Sequence, residues 1–366
     1  MTMSNKTYLC TLKPISKFFF GGERTFGQDG GTKTNYLVRS NAFPQQTTLL
    51  GMLRFELLKQ NNLVPITRAN EVDVGKTIGK QSFKISELSP DYGFIQNISP
   101  LFICKGDEKL SLAPRDVVRY MDKKDQLIDN EQWAFSADSQ NKAFLFGSDK
   151  EVVLSVIDKF NHKHDYQPHF LHSDGTSVPF DYDSDTKEGV FISESQIGIK
   201  KNENAKDAKG FYKQFYYRMN KEYVFGFYTE TSTSIVEQTS IVYMGADKSA
   251  FMLTIQDADG KSFDSDFGID TYKNGTKVTL LSDTYVAEDI YQYCAFALVE
   301  TLPFRNIETD VGTTTDYRNL HKNKLTKCLN LLARGSALYP SDLVEVKRIL
   351  NNENFQKIGY NVYKID

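Results

Sequence analysis

The richest chemistry in this 366-residue chain lies in Gly198–Met219, GIKKNENAKDAKGFYKQFYYRM. Lys200, Lys201, Lys206, Lys209, Lys213 and Arg218 stand there against Glu203 and Asp207, with Phe211, Tyr212, Phe215, Tyr216 and Tyr217 interleaved. Cations attract phosphates and aromatic rings stack on unpaired bases, which is the combination a single-stranded nucleic acid requires. The same pattern also fits a hairpin tip with solvated lysines, leading into a strand whose aromatics are core. Between the two, Lys200, Lys201, Lys206 and Lys209 are better RNA candidates than the rings.

A second candidate region is the segment FFFGGERTFGQDGGTKTNY, with five glycines between Gly21 and Gly31. Glycine permits positive φ and close backbone approach. The segment carries Arg24 and Phe26 and leads through Arg39 to Pro44 and a helix start. Free N–H groups at such a start can bind phosphate. The nucleotide fingerprints GxGxxG and GxxxxGK[ST] are both absent, so this is no nucleotide cradle.

Other constellations carry less. His162, His164, His169 and His172 have a spacing that could supply metal ligands, yet they fit no helical HExxH motif, and closely spaced loop histidines usually titrate in solvent. A metal-dependent activity there is the third-ranked reading, and no metal site is expected. Asp181, Asp183 and Asp185 begin like a calcium loop, but Thr186 replaces the glycine and Ile192 the bidentate Glu. Asp266–Gly268 reads DFG without kinase companions, and no GxSxG occurs. His321 is the single histidine outside the cluster.

The elements that must position these groups follow from periodicity. Thr7–Pro14 alternates and predicts a strand. Leu49, Met52, Leu53 and Leu57 predict a helix over Thr47–Gln60 facing a sheet, capped by Thr47 or Thr48. Gly51 inside that helix costs about 1 kcal/mol against alanine and marks close packing or close ligand approach. Strands are expected at Gln81–Ile85, Leu101–Lys105, Lys142–Phe146, Gly189–Ile199, Tyr223–Glu230, Ile241–Tyr243, Phe251–Ile255, Lys277–Ser282 and Gly359–Ile365. Helical patterns cover Lys150–Phe160, Asp289–Leu302 and Leu320–Ala333, and polar, acidic Gln167–Glu188 reads as an insertion. The strand–helix–strand–strand pattern occurs twice, so the expected fold is α+β. It comprises two ferredoxin-like (RRM-like, split βαβ) domains with loop and hairpin insertions, residues 1–220 and 221–366.

Composition bounds the function. A net charge of -3 excludes an RNA scanner with a global basic excess, so any RNA contact must be local. The hydrophobic fraction of 40% supports one or two cores, and the aromatic fraction of 13% serves packing first. Cys10, Cys104, Cys294 and Cys328 have neither metal-ligand spacing nor a disulfide pattern. The start MTMSNKTYLC lacks a signal core and no run approaches a membrane span, so a cytoplasmic protein is expected.

The segment Phe43–Arg54, FPQQTTLLGMLR, resembles the first-helix signature of the RAMP superfamily of CRISPR proteins. Within it the chain is most similar to the Cmr-module subunit three of type III-B complexes. Leu112–Asp116, Glu194–Ile199 with Gly210–Tyr212, and Met244–Leu253 resemble that family's later motifs, as do the turns Arg334–Ser336 and Gly359–Asn361. Ala246 departs from the family's double glycine, and Arg334–Ser336 is thin in glycine. The resemblance implies two ferredoxin-like domains and a non-catalytic subunit. It implies binding of the single-stranded 5′ tag of the guide RNA (crRNA), and docking on the large polymerase-like Cas subunit and the first RAMP backbone subunit. On it, Gln45, Gln46, Thr47, Thr48 and Gly51 would meet phosphates or bases, Arg24 and Phe26 would close over the strand, and Arg39 and Arg54 would supply charge. The alternative is a RAMP endoribonuclease that processes guide RNA, although no histidine lies between Met1 and Asn161. Neither reading calls for a cofactor.

Overall fold

The computed structural model describes residues 5–26, 36–79, 82–117, 120–121, 127–128, 142–144, 151–153, 167–201, 209–245, 247–269, 277–308 and 324–366. Period-two burial builds its main sheet. In the strand Lys6–Pro14, Tyr8, Cys10 and Leu12 point inward and their neighbours outward. That strand pairs antiparallel with Tyr223–Thr231 on one side and Ser249–Asp257 on the other. The full path runs Ser177–Pro179, His169–Leu171, Glu108–Leu112, Phe102–Lys105, Tyr223–Thr231, Lys6–Pro14, Ser249–Asp257, Gln238–Met244, and Ile95–Ile98 also pairs with Tyr223–Thr231.

The helix expected at Thr47–Gln60 spans Gln46–Gln60. Leu49, Met52, Leu53 and Leu57 are all buried, joined by Leu50 and Leu58, and pack with the sheet's inner face in one large core. Truncating any one of these leucines to alanine costs about 2–5 kcal/mol. A second, smaller core sits under the sheet of order Cys294–Leu298, Ala337–Pro340, Val278–Leu280, Tyr363–Ile365. The helix Leu343–Leu350 covers it with Val346, Ile349 and Leu350, and Asp342 caps that helix by accepting from the Val344 and Glu345 amides.

A third sheet is mixed. Its order is Phe191–Lys201, Lys209–Met219, Tyr36–Asn41, Phe20–Phe26; the two outer pairings are antiparallel and the central one is parallel.

The α+β class holds, but two separate four-stranded split-βαβ sheets do not stand out. The expected boundary at residue 220 coincides with no break in the main sheet, because Tyr223–Thr231, Gln238–Met244 and Ser249–Asp257 join Lys6–Pro14 within it. Four element expectations change as well. Asp289–Leu302 is a short 3-10 turn, Ile290–Tyr293, followed by the strand Cys294–Leu298, which bonds to Ala337–Pro340. Leu329–Leu332 is a strand on Thr301–Phe304 rather than helix. Short apolar runs carry no unambiguous period, and cross-chain pairing decides them. The described part of Gln81–Ile85 forms no strand, since the Phe83 and Lys84 carbonyls accept from the Asn306 and Asn354 side chains at 2.5 and 2.7 Å. Of Lys150–Phe160, Glu151–Val153 is a strand and the rest lies outside the described residues. Among the described residues no helix is long and apolar enough to cross a membrane.

Candidate nucleic-acid interface

The start of the Gln46–Gln60 helix is closed by the protein itself. Gln45, just after Pro44, is the N-cap in extended geometry, without a side-chain cap bond. The Gln46 amide donates to the Tyr360 hydroxyl at 3.1 Å, and Thr47 bonds that same oxygen through its backbone and its side chain. The Thr48 amide donates to the Gln45 carbonyl at 2.8 Å. The expected caps at Thr47 or Thr48 are therefore absent, and the first N–H groups have internal acceptors rather than a phosphate. Tyr360 is wholly buried, and burial pushes its phenol far above the usual range.

Gln46 lies inside as well. Its amide donates to the carbonyls of Ser99 and Gly359 at 3.1 and 3.0 Å, while its Oε1 is buried without a partner among the described residues. Gly359 is obligatory here: its φ is +86°, and a Cβ would sit 2.5 Å from the Ser99 carbonyl oxygen. Arg334 comes from the other C-terminal turn. It pairs with Asp283 through two nitrogens and lies 4.2 Å from the Phe43 ring centroid. The two C-terminal turns thus converge on the segment Phe43–Gln46.

Arg54 donates to the Gly79 carbonyl at 3.2 Å, and burial lowers its pKa. Gln46 is thus buried, while Thr47 and Arg54 are half-buried and bonded inside the protein, with Arg54 Nε left without a partner among the described residues. Gln45 and Thr48 remain half-exposed and Gly51 is exposed, with nothing within 4 Å of the place a Cβ would take. The expectation that Gly51 marks close internal packing is thereby overturned.

The mixed sheet is arranged in the opposite way. It brings together two candidate regions that are remote in sequence. Arg24 stands opposite Val38 and Phe26 opposite Tyr36, while Arg39 is in register with Phe215. Lys200 faces Gly210 and Lys201 faces Lys209 across the far end of the long hairpin. Lys206 lies outside the described residues.

Alternation separates the sheet into two faces. One cross-row is Ser195, Phe215, Arg39, and the next on the same face is Ile197, Lys213, Leu37. Arg39 lies 5.3 Å and Lys213 4.8 Å from the Phe215 ring centroid, so both cations rest on one aromatic ring. Neither has a carboxylate in salt-bridge reach among the described residues. Ile197 beside them is 68% exposed. Tyr217 anchors the base of this face among Phe18, Phe180 and Phe191. Burial raises the Tyr217 phenol pKa, and the Arg39 charge acts against that rise.

On the other face the polar groups are matched. Lys17 donates to Gln196 and sits 4.3 Å from the Tyr216 ring centroid, Gln214 donates to Asp247, and Arg218 pairs with Glu194. Lys213 and Phe215, which the sequence reading does not single out as candidates, are the centre of this cation–ring cluster. Their spacing of two within a strand, which puts both on one face, was the available signal.

The described histidines do not gather into a site. His169 is buried with Nδ1 3.0 Å from the Gln167 carbonyl, and His172 pairs with Glu108 at 2.6 Å. His162, His164 and His321 lie outside the described residues, and no group of three or more His, Cys, Asp or Glu among the described residues is placed to hold a metal.

An α+β protein with a cationic–aromatic sheet face and a sealed signature helix is the class that emerges. The chain belongs to the CRISPR-associated protein family Cas_Cmr3, whose model matches residues 10–363. It is thus a Cmr3-like CRISPR protein, and that family supports a place as a subunit of a type III effector complex. No curated protein matches the chain. Among solved structures it is similar to a chain of the Type III-B Cmr-beta complex bound to cognate target RNA and AMPPnP, with 16% identity, 97% of this chain and 95% of that one covered, and a TM-score of 0.46. A second Cmr-beta structure, bound to cognate target RNA, gives 14% identity, 98% and 96% coverage and a TM-score of 0.48. A chain of the Csm3–Csm4 subcomplex of a type III-A interference complex gives 11%, 92% and 94%, and 0.35.

Proposed function

We propose that the chain is a non-catalytic subunit of a type III effector complex that grips the single-stranded 5′ tag of the crRNA on the Arg39–Phe215–Lys213 face of the mixed sheet. In that role it bridges the large polymerase-like subunit and the RAMP backbone subunit. The observation that carries the reading is the pair of cations resting on Phe215, which no carboxylate among the described residues neutralises. The ring holds both cations in place before RNA arrives, so less side-chain ordering is needed on binding. Phosphate charge then replaces water around them, while Ile197 and Leu37 in the adjacent row offer apolar contact to sugar or base. Lys201 and Lys209, paired at the hairpin's far end and on this face by alternation, extend the track, whereas Arg24, Phe26 and Lys200 stand on the opposite face by register and form no part of it. Lys206 belongs to the same proposal by sequence alone. Gln45 and Thr48 would border the track where the parallel strand runs into the helix.

Filter binding of a tag-length single-stranded RNA tests this. Arg39→Ala with Lys213→Ala is expected to weaken binding about tenfold near physiological salt while melting is unchanged. Unchanged affinity would contradict the site. Site-specific cutting of repeat RNA by the purified chain would contradict the non-catalytic role.

A further inference from the structure

The two edges of the main sheet are built differently. One edge is the strand Ser177–Pro179, three residues long, ending in a proline and followed by Asp181, Asp183 and Asp185. Shortness, proline and charge are the usual devices that keep a sheet edge from pairing with another chain. The other edge, Gln238–Met244, has none of them. It is seven residues long, QTSIVYM, without charge or proline, and its register with Ser249–Asp257 is unbroken by any bulge. No described strand pairs with its outer side.

Beside this unprotected edge runs a groove of about 320 Å³ between Ile241–Gly245 and the outer flank of the Gln46–Gln60 helix. Met52, Val242 and Met244 are buried beneath it, whereas Phe55, Ile241 and Tyr243 are 53%, 56% and 65% exposed. Gly51 opens onto the groove, and no described atom lies within 4 Å of a Cβ placed there. The lining cation, Lys59, is bound to Glu56 at 2.9 Å, so the groove offers no free positive charge to a polyanion.

We propose that this edge and groove receive an extended, uncharged, apolar segment of another protein subunit by β-strand addition. The backbone of Gln238–Met244 would supply the ladder. Alternate side chains of the incoming strand would pack on Phe55 and into the space over Gly51. An RNA strand is disfavoured because the lining is neutral and its one lysine is engaged. The inference rests on the chain's place as a subunit of a multi-protein complex.

The test uses the full chain, free and co-assembled with the other protein subunits of its own effector complex. Amide exchange across Gln238–Met244 is expected to slow about tenfold or more on assembly. Gly51→Glu, whose Cβ has no described atom within 4 Å, should fold and bind tag RNA as the parent does, yet it should fail to enter the complex. Gly51→Ala, as a folding control, should melt at or above the parent temperature. Equal exchange in the free and assembled states, or normal assembly of Gly51→Glu, overturns the proposal. Protection caused by tag RNA alone, or by self-association of the isolated chain, also overturns it by naming a different occupant. Failure of the parent chain to assemble at all would strike at the subunit reading, whereas assembly without edge protection strikes only at this inference.

Discussion

The signature helix start and the mixed sheet hold similar residue types, amides, threonines, arginines and aromatics, in opposite states. Gln46, Thr47 and Arg54 each bond inside the protein, although Gln46 Oε1 and Arg54 Nε are buried without a partner among the described residues, and Tyr360 stands where an external anion would bind. At Arg39 and Lys213 the cations have, among the described residues, only the face of Phe215 beneath them. A polar group that is buried and bonded contributes to the fold, and leaving it unpaired costs about 1–3 kcal/mol. An exposed and unpaired cation contributes little to stability and stays available to a ligand. The recognisable motif is thus a joint to the C-terminal turns, and the less recognisable hairpin is the exposed face that we propose as the grip.

The largest effect expected from breaking this contrast is at Gly359. Gly359→Ala forces a Cβ onto the Ser99 carbonyl at a strained φ, so a loss of about 3 kcal/mol or more is expected, read as a large fall in melting temperature. Arg54→Ala should come next, at about 1–3 kcal/mol of stability, because the Gly79 carbonyl loses its donor. RNA affinity per folded molecule should not change, and a specific loss of affinity would put Arg54 back at the interface. Tyr360→Phe removes the acceptor for Gln46 and Thr47 and should cost about 1 kcal/mol in chemical denaturation. Gly51→Ala is the smallest effect and has the opposite sign, a gain of up to about 1 kcal/mol, because the helix improves and the site is open.

The sequence shows the helix Gln46–Gln60 and its buried leucines because 3.6-residue periodicity is a local property. It also shows most strands of the main sheet, since alternation is local too. It does not show the closure of the helix start, because Tyr360 lies 314 residues from Gln46. Nor does it show that Arg39 rests on Phe215, which depends on a parallel pairing between distant strands. Cys294–Leu298 and Leu329–Leu332 look helical in isolation and become strands only through partners elsewhere in the chain. Charge clustering draws attention to the hairpin tip rather than to Lys213. A strand's two faces can be separated only once its neighbours are known.

The salt dependence of tag RNA binding, compared for the parent chain, Arg54→Ala and the Arg39→Ala/Lys213→Ala double variant, tests the contrast most directly. Each lost phosphate contact on a single strand reduces the slope of log K against log salt by about 0.7. The double variant should lose about 1.4 of that slope, while Arg54→Ala keeps the parent slope. A full slope in the double variant, together with a reduced one in Arg54→Ala, would contradict the account and return the grip to the signature helix.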